Sequence, residues 1–350
     1  SLSSYVLISL GRDRRALTAS FRYLIMGTIG ATFYIIGVGL MYMMTGTLNM
    51  ADLAARLPAL LHLRTIEMAL AFLTVGLTLK LALVPVHFWL PNAYTYAPSA
   101  VSVFLAATST KIAVYALIRT IYTVFGGTAM FAVMPIDEML LGFGMLSMSA
   151  ASVVAIFQDD VKRRLAYSSV SQIGYMVLGL SIGTAEGLSG SIVHIFNHAM
   201  MKALLFMAIG CVVYRVGAVR FHDIAGFGRR MPITAAAMLI GGLSLIGAPL
   251  TIGFVTKWVL LEAAFAKGWW PVMAVIVVSG LLALVYVWRL VEVAYFRNPS
   301  PAVAGVGEAP LGMLAPLVVL AAINLAFGID GSTTSGLALQ AARALMGQAP

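Results

Sequence analysis

The sequence has little charge and a single cysteine. Only 10% of its 350 residues are charged, whereas 61% are hydrophobic; an average soluble domain is about a quarter charged. So few polar side chains cannot cover a water-facing surface of this size, which excludes a soluble enzyme, a disordered chain and a coiled coil. The lone cysteine, Cys211, excludes a disulfide framework and a thiolate metal site. Residues 272–287 do not alternate between polar and apolar, which excludes a transmembrane barrel.

What the sequence has instead is a series of long apolar segments. They predict an all-α polytopic membrane protein of about ten transmembrane helices, because a helix satisfies its own backbone groups inside the bilayer. The predicted spans are residues 21–44, 67–84, 100–125, 139–157, 168–183, 188–214, 233–250, 251–264, 269–295 and 311–329. Residues 51–64 and 337–346 predict interfacial helices. Residues 1–10 are apolar but too short to span and precede their basic residues, unlike a signal peptide, so we expect the second half of a truncated helix in a fragment.

The formal net charge of +9 is better explained by orientation in a bilayer than by nucleic acid, which is not expected as a partner. Basic residues cluster in three loops, within residues 12–22, 162–164 and 215–230. The predicted spans place these loops on one side, and the positive-inside rule makes that side cytoplasmic. The charged segment at residues 157–164 is expected to be a solvated loop.

Two predicted spans contain helix breaks. Pro85 and Pro249 cannot donate a backbone hydrogen bond, and their rings clash with the preceding turn of a helix. Irregular backbone survives at membrane depth only where it is buried in protein or lines a wet cavity. Two broken helices that each carry a lysine are typical of a transporter with an internal repeat.

Four of the six lysines lie inside predicted spans: Lys80, Lys111, Lys202 and Lys257. A lysine at the bilayer centre costs at least about 2.5–3.5 kcal/mol, so these side chains should face one another, counter-charges or water. Burial disfavours the ammonium form, so such a lysine can exchange its proton near neutral pH. The four therefore predict a proton relay. The alternative for each is a structural partner or a side chain that reaches the membrane interface.

Histidines accompany these lysines. His194, His198 and Lys202 recur every four residues and therefore share one helix face. Because histidine titrates near neutrality, this stripe favours a proton relay, with structural hydrogen bonding or a metal site as alternatives. His87 follows Pro85 and either bridges Lys80 to Lys111 or caps the broken helix.

Motifs for bound cofactors and enzymatic sites are missing from the sequence. It has no glycine-rich phosphate loop, nucleophile motif, haem histidine pair or iron–sulfur cysteine set. We therefore expect no cofactor, no metal and no catalytic site of the chain's own.

Four segments resemble the antiporter-like membrane subunits of respiratory complex I and of Mrp-type multisubunit sodium/proton antiporters. They are residues 79–119, 157–180, 194–206 and 242–258. The similarity runs from residue 1 to about residue 296. The single lysine at 257, the form of residues 194–202 and the style of residues 220–237 look closer to the D subunit of the Mrp-type antiporters.

The resemblance implies a fold of two inverted five-helix repeats, each with a broken helix. Residues 11–296 would form the proton-channel core, with the first repeat ending near residue 125 and the second covering about 139–296. Residues 1–10 would be the remnant of a truncated helix, and residues 297–350 a linker, a final transmembrane helix and a short tail.

The resemblance also implies roles for the interior residues. Lys80 matches the broken-helix lysine of the first repeat, and Lys111 the bridging lysine of the next helix. Lys257 matches the charged position of the second broken helix. His87 matches the histidine beyond the first break, and Lys202, with His194 and His198, the central lysine helix. The family's glutamate partner for Lys80 is expected upstream of Ser1 or is missing.

The implied function is proton translocation within a multisubunit Na⁺/proton antiporter in the bacterial cytoplasmic membrane. The implied partners are other membrane subunits, the lipid bilayer, protons and sodium ions. The alternative is a proton-pumping subunit of complex I or of a related membrane-bound hydrogenase. Two other classes of membrane protein remain as alternatives, and each predicts a different behaviour. A solute transporter would have one midplane pocket, and a structural scaffold would tolerate neutral replacement of all four lysines.

Overall fold

The computed structural model describes residues 2–11 and 13–348, and these are almost entirely helical. Ser1, in the expected truncated helix, and Arg12, in the first basic loop, lie outside the described residues, as do Ala349 and Pro350. Within the described ranges there are seventeen α-helices and no β-strand, which confirms the predicted all-α class. The helices are α1 (Leu2–Ser9), α2 (Arg14–Thr45), α3 (Met50–Arg56), α4 (Arg64–Leu81), α5 (Trp89–Tyr96), α6 (Ser99–Phe104), α7 (Thr110–Ile118), α8 (Thr128–Phe131), α9 (Ile136–Ile156), α10 (Val161–Ser181), α11 (Ala185–Val216), α12 (Phe227–Arg230), α13 (Pro232–Ile246), α14 (Ile252–Ala266), α15 (Trp270–Val291), α16 (Leu311–Ile329) and α17 (Gly331–Leu345).

Helix boundaries follow from local capping chemistry. The Asp160 side chain accepts a hydrogen bond from the backbone N–H of Arg163 at the start of α10, and Thr184 accepts one from Gly187 at the start of α11. Such side chains satisfy backbone donors that have no partner in the first helical turn. Gly217 ends α11 with a φ of +77°, which a residue without a Cβ adopts readily.

Six of the helical segments in the described ranges are long and apolar enough to cross a membrane. They are Arg14–Thr45, Ser99–Val124, Ile136–Ile156, Ala185–Val216, Trp270–Phe296 and Leu311–Ile329. π-Helical turns at Leu105–Ser109 and Arg119–Val124 continue the second of these, and another at Glu292–Phe296 ends the fifth. The chain is therefore an integral membrane protein.

The loops at the two ends of the helices gather on two opposite sides of the protein. We call the side that carries the predicted basic loops the basic side. Its loops contact one another through four pairs of residues: Arg15 with Tyr96, Lys162 with Ala97, Asp160 with Arg220, and Arg215 with Glu308. On the opposite side, Gly183 lies beside Phe131 and Lys267. Following the chain from side to side therefore gives the direction of each helix.

The same order of helices occurs twice. The 32-residue α2 is followed by the short α3, the interrupted pair α4 and α5, and the pair α6 and α7. The 32-residue α11 is followed by the short α12, the interrupted pair α13 and α14, and α15. Because α2 begins on the basic side and α11 on the opposite side, the two units run through the bilayer in opposite directions. The inverted arrangement expected for this fold is present, with one broken helix in each unit.

The second broken helix corrects one detail of the predicted spans. Residues 233–250 and 251–264 were expected to cross separately, but α13 begins on the basic side and α14 ends near Lys267 on the opposite side. Each helix has 15 residues. That is a length of about 22 Å, against a hydrocarbon core of about 30 Å. The two helices therefore make one interrupted crossing.

The charged segment at residues 157–164 also differs from expectation, because two of its basic side chains are buried. The Lys162 ammonium donates to the carbonyl of Ala97 at 3.1 Å. The Arg164 guanidinium donates to the carbonyls of Gln158 and Tyr286 and lies over the Phe221 ring. Sequence composition cannot reveal this burial, since two of the acceptor carbonyls, those of Ala97 and Tyr286, come from segments distant in the chain.

Close helix packing at glycine holds α9 against α10. A Cβ atom added at Gly174 would lie 2.6 Å from the carbonyl oxygen of Gly144 and 2.9 Å from the backbone nitrogen of Met148. A Cβ atom at Gly142 would meet nothing within 4 Å. The absence of a side chain at Gly174 thus permits the close approach, as small residues do between membrane helices.

We expect Gly174→Ala to lower the thermal unfolding midpoint of the purified protein, because the methyl group meets rigid backbone and overpacking costs about 1–3 kcal/mol. The matched control is Gly142→Ala, which should be neutral or slightly stabilising because alanine favours a helix by about 0.5–1 kcal/mol over glycine. Equal midpoints for the two variants in detergent would contradict the close packing.

Candidate functional site: a line of buried lysines and histidines

Lys80 lies at the end of the first half of the first broken helix. Helix α4 stops at Leu81 because Ala82 has a φ of +63°, and Pro85 lies in the gap before α5. The last turn of a helix exposes carbonyl groups, which favour a positive charge. The Lys80 ammonium donates a hydrogen bond to the Tyr23 hydroxyl at 3.2 Å and lies 5.0 Å from the centre of its ring.

Tyr23 is held in place from both sides of the helix break. Its ring stacks on Trp89 at a centroid distance of 4.2 Å, and the Trp89 indole N–H donates to the carbonyl of Leu79 at 2.9 Å. The Tyr23 hydroxyl also lies 3.3 Å from the hydroxyl of Ser109. Tyr23 therefore joins Lys80 to the helical segment that carries Lys111.

Lys111 follows a π-helical turn. Leu105–Ser109 departs from the α-helical hydrogen-bond pattern, and the buried Lys111 ammonium donates to the carbonyl of Ala106 within this turn. Such π-turns are frequent at functional sites because they displace backbone groups from the regular pattern. The turn packs against α11, the helix that carries His198 and Lys202.

Lys202 is the most deeply buried lysine, with 0% of its surface exposed. Its ammonium donates to the carbonyl of Leu165 at 2.8 Å and to the hydroxyl of Ser168 at 2.6 Å. Both acceptors belong to α10, so Lys202 links α11 to α10.

The two histidines of α11 extend the line away from Lys202. The imidazole rings of His194 and His198 are fully buried and stack at a centroid distance of 5.5 Å with an interplanar angle of 12°. The His194 ring lies 5.7 Å from the ring of Tyr175 on α10. The spacing of four residues thus places the two imidazoles in contact.

Lys257 stands at the second helix break. Its ammonium donates to the carbonyls of Leu245 and Ile246, in the last turn of α13, and lies 5.3 Å from the centre of the Tyr175 ring. The break begins at Gly247, with a φ of +85°, and Pro249 lies within it. The series therefore continues from His194 through Tyr175 to Lys257.

An amide fixes α14, the helix of Lys257, against α11. The Asn197 side-chain nitrogen donates to the carbonyl of Ile252 at 2.8 Å and to the hydroxyl of Thr256 at 3.0 Å. Asn197 and Thr256 adjoin His198 and Lys257 in the chain, so this bond keeps the histidine stripe and the second break at a constant separation.

His87 lies in the first break but is placed towards α10. Its buried ring stacks on Phe88 at 4.5 Å and meets the Tyr167 ring edge-on at 6.2 Å. The polar connection that leads from Lys80 towards Lys111 runs instead through Tyr23 and Ser109. Whether His87 bridges the lysines therefore stays a prediction.

The structure adds four site residues that sequence reasoning missed: Tyr23, Ser109, Ser168 and Tyr175. One signal was available, because α10 carries an unusually polar run of buried side chains at residues 168–172. The tyrosines gave no signal, since aromatic residues inside apolar helices usually serve packing.

The main-chain carbonyls around the lysines determine what the site can do chemically. Within the described residues, Lys111, Lys202 and Lys257 form no ion pair, and each donates to at least one backbone carbonyl. A carbonyl accepts a hydrogen bond from an amine as well as from an ammonium, so a lysine can release its proton and keep its partner. No group of three or more metal-ligating side chains occurs in the part of the chain that the structure describes.

Comparison with known proteins places this arrangement in a family. Residues 1–283 match the family described as "NADH:quinone oxidoreductase/Mrp antiporter, TM". The chain is 42% identical over 332 residues to the N subunit of the NADH-quinone oxidoreductase of Desulforudis audaxviator, covering 91% of this chain and 66% of that protein. It is 30% identical over 341 residues to the D subunit of the Na(+)/H(+) antiporter of Alkalihalophilus pseudofirmus, covering 97% and 68%.

A solved structure shares the fold. A chain in the Mrp complex from Dietzia sp. superposes with a TM-score of 0.91 at 28% identity, covering 99% of this chain and 72% of that chain. The present chain spans about two thirds of the length of the curated relatives it matches, 66% and 68%. The matched residues include both helix breaks and all four interior lysines. The chain belongs to the NADH:quinone oxidoreductase/Mrp antiporter family of membrane subunits.

Proposed function

We propose that this chain is the proton-translocating membrane subunit of a multisubunit monovalent cation (Na⁺)/proton antiporter. The observation that supports the proposal is the near-continuous line of polar side chains across the interior. Lys80 contacts Tyr23, which contacts Ser109; Lys257 contacts Tyr175, which contacts His194 and, through it, His198. Lys111 and Lys202 lie between these two chains of contacts.

Electrostatic coupling gives this line a mechanism. Two ammonium groups in a medium of low dielectric repel each other strongly, so protonation of one lysine favours release of a proton by the next. The π-turn that precedes Lys111 packs against α11, which carries His198 and Lys202, and this contact links the two units. Protonation of Lys80 would thus change the protonation state of Lys111, then that of Lys202 and then that of Lys257.

A second assembly is favoured by one specific observation. Identity to the N subunit of an NADH-quinone oxidoreductase is 42%, against 30% for the D subunit of an antiporter. In such an assembly, the same line of lysines would be driven by quinone reduction in other subunits. A solute transporter is disfavoured, because the interior charges form a lateral series rather than surrounding one pocket.

The assembly can be identified by isolating the tagged chain with its native partners and reconstituting the complex in vesicles. The antiporter assembly predicts that a sodium gradient alone moves protons, measured with an internal pH dye. Proton movement that occurs only with NADH and a quinone would assign the chain to the second assembly instead.

We expect Lys202→Ala to reduce proton transport by the reconstituted complex to the level of vesicles without protein, because the central exchangeable amine is lost. Lys202→Met, which keeps most of the side-chain volume, should do the same. The control is Lys267→Ala, which removes an exposed lysine over Trp269 and should leave transport unchanged. Normal transport by both Lys202 variants, with the complex intact by gel filtration, would refute the relay and favour a scaffold.

For orientation, we propose that the protein lies in the bacterial cytoplasmic membrane with its basic side in the cytoplasm, as the positive-inside rule predicts. The exposed His222 lies on the basic side, and the exposed Leu48 follows α2 on the opposite side. The native Cys211 is buried and should react little.

We expect Leu48→Cys to react with a membrane-impermeant maleimide in intact cells, and His222→Cys to react only after lysis. The wild-type chain serves as the blank. The reverse pattern of labelling would contradict the proposed orientation.

A further inference from the structure

Each broken helix brings its lysine to the ring of a tyrosine. The Lys80 nitrogen lies 5.0 Å from the ring centre of Tyr23, and the Lys257 nitrogen lies 5.3 Å from the ring centre of Tyr175. Both tyrosines are at most 1% exposed. A cation within about 6 Å of an aromatic ring centre is attracted by the negative face of the ring, more strongly where water is excluded.

The hydroxyl groups of the two tyrosines point to different partners. The Tyr23 hydroxyl accepts a hydrogen bond from Lys80 at 3.2 Å and lies 3.3 Å from the Ser109 hydroxyl. The Tyr175 hydroxyl instead donates to the carbonyl of Ile276 at 3.2 Å. Lys257 therefore faces the ring of Tyr175 and not its hydroxyl group.

The position of Tyr175 is fixed independently of Lys257. Its neighbour Gly174 makes the close contact between α10 and α9, and its hydroxyl is anchored on α15 through Ile276. The same ring lies 5.7 Å from the imidazole of His194. The Tyr175 ring thus forms a rigid surface between the imidazole of His194 and the ammonium of Lys257.

We propose that both tyrosines are positioning residues for the relay and that they act through different parts of the side chain. Tyr23 acts through its hydroxyl, which orients the Lys80 ammonium towards the segment that carries Ser109 and Lys111. Tyr175 acts through its π-electrons, which hold the Lys257 ammonium beside His194. This inference rests on the proposed proton-translocating function.

Removal of the hydroxyl separates the two modes of action. In the reconstituted complex, we expect Tyr23→Phe to lower proton transport at least about ten-fold, the effect of losing a hydrogen bond to a charged group. Tyr175→Phe keeps the ring that faces Lys257 and loses only the neutral hydrogen bond to the carbonyl of Ile276, so its loss of transport should be several times smaller than that of Tyr23→Phe. Equal losses for the two variants would overturn the inference.

Graded fluorination tests the ring of Tyr175 without changing its shape. Phenylalanine with one, two and three fluorine atoms at position 175 has a progressively weaker negative face, so transport should fall stepwise, by about two- to thirty-fold in total. The matched control is position 94. Tyr94 is equally buried and its hydroxyl donates to the carbonyl of Leu105 at 3.0 Å, but its ring meets Phe206 rather than a cation. The same fluorinated series at position 94 should have no graded effect.

The outcomes distinguish the inference from the function on which it rests. If proton transport is the same across the fluorinated series at position 175 while Lys202→Ala is inactive, the role of Tyr175 is overturned and the proposed function stands. Full activity of Lys202→Ala overturns the proposed function. Because the fluorinated rings fit the space of the native ring, a graded loss at position 175 but not at position 94 cannot arise from misfolding and supports the inference.

Discussion

The structure depends on how an ammonium group is accommodated inside an apolar protein. Lys111, Lys202 and Lys257 each donate to a backbone carbonyl, on Ala106, Leu165 and Ile246 respectively. Carbonyl dipoles stabilise the positive charge, but they are neutral. When the proton leaves, no unpaired carboxylate remains in the low-dielectric interior, which would be costly. The same acceptors therefore serve the charged and the neutral forms of the lysine.

For Lys111 and Lys257, interruptions in the helices make the acceptor carbonyls available, whereas the carbonyl of Leu165 lies within α10. A continuous α-helix uses nearly all of its carbonyls internally, whereas a helix end or a π-turn releases some of them. Lys80 stands in the last turn of α4, and Lys257 reaches back across a break to the last turn of α13. The two units thus place their lysines on opposite sides of the break in sequence. Lys257 brings its ammonium to the C-terminus of α13, where the helix dipole favours it, whereas the Lys80 ammonium contacts Tyr23.

Much of the fold and part of the site follow from the sequence. Hydrophobic length predicts the membrane segments, Pro85 and Pro249 predict the breaks, and the spacing of His194, His198 and Lys202 predicts their common face. Three features do not follow, because each depends on contacts between segments distant in the chain. The single crossing made by α13 and α14 depends on which side each loop occupies. The burial of Lys162 depends on the carbonyl of Ala97, and the role proposed for Tyr175 depends on its approach to Lys257.

Nitrogen NMR on the intact complex can show directly whether the fully buried Lys202 exchanges its proton. With ¹⁵N-labelled lysine side chains and Lys202→Met to assign the signal, the Lys202 nitrogen can be followed as the pH is changed. We expect the ammonium and the amine of Lys202 both to be populated in the neutral pH range. A nitrogen that remains an ammonium at every pH at which the complex transports protons would contradict it.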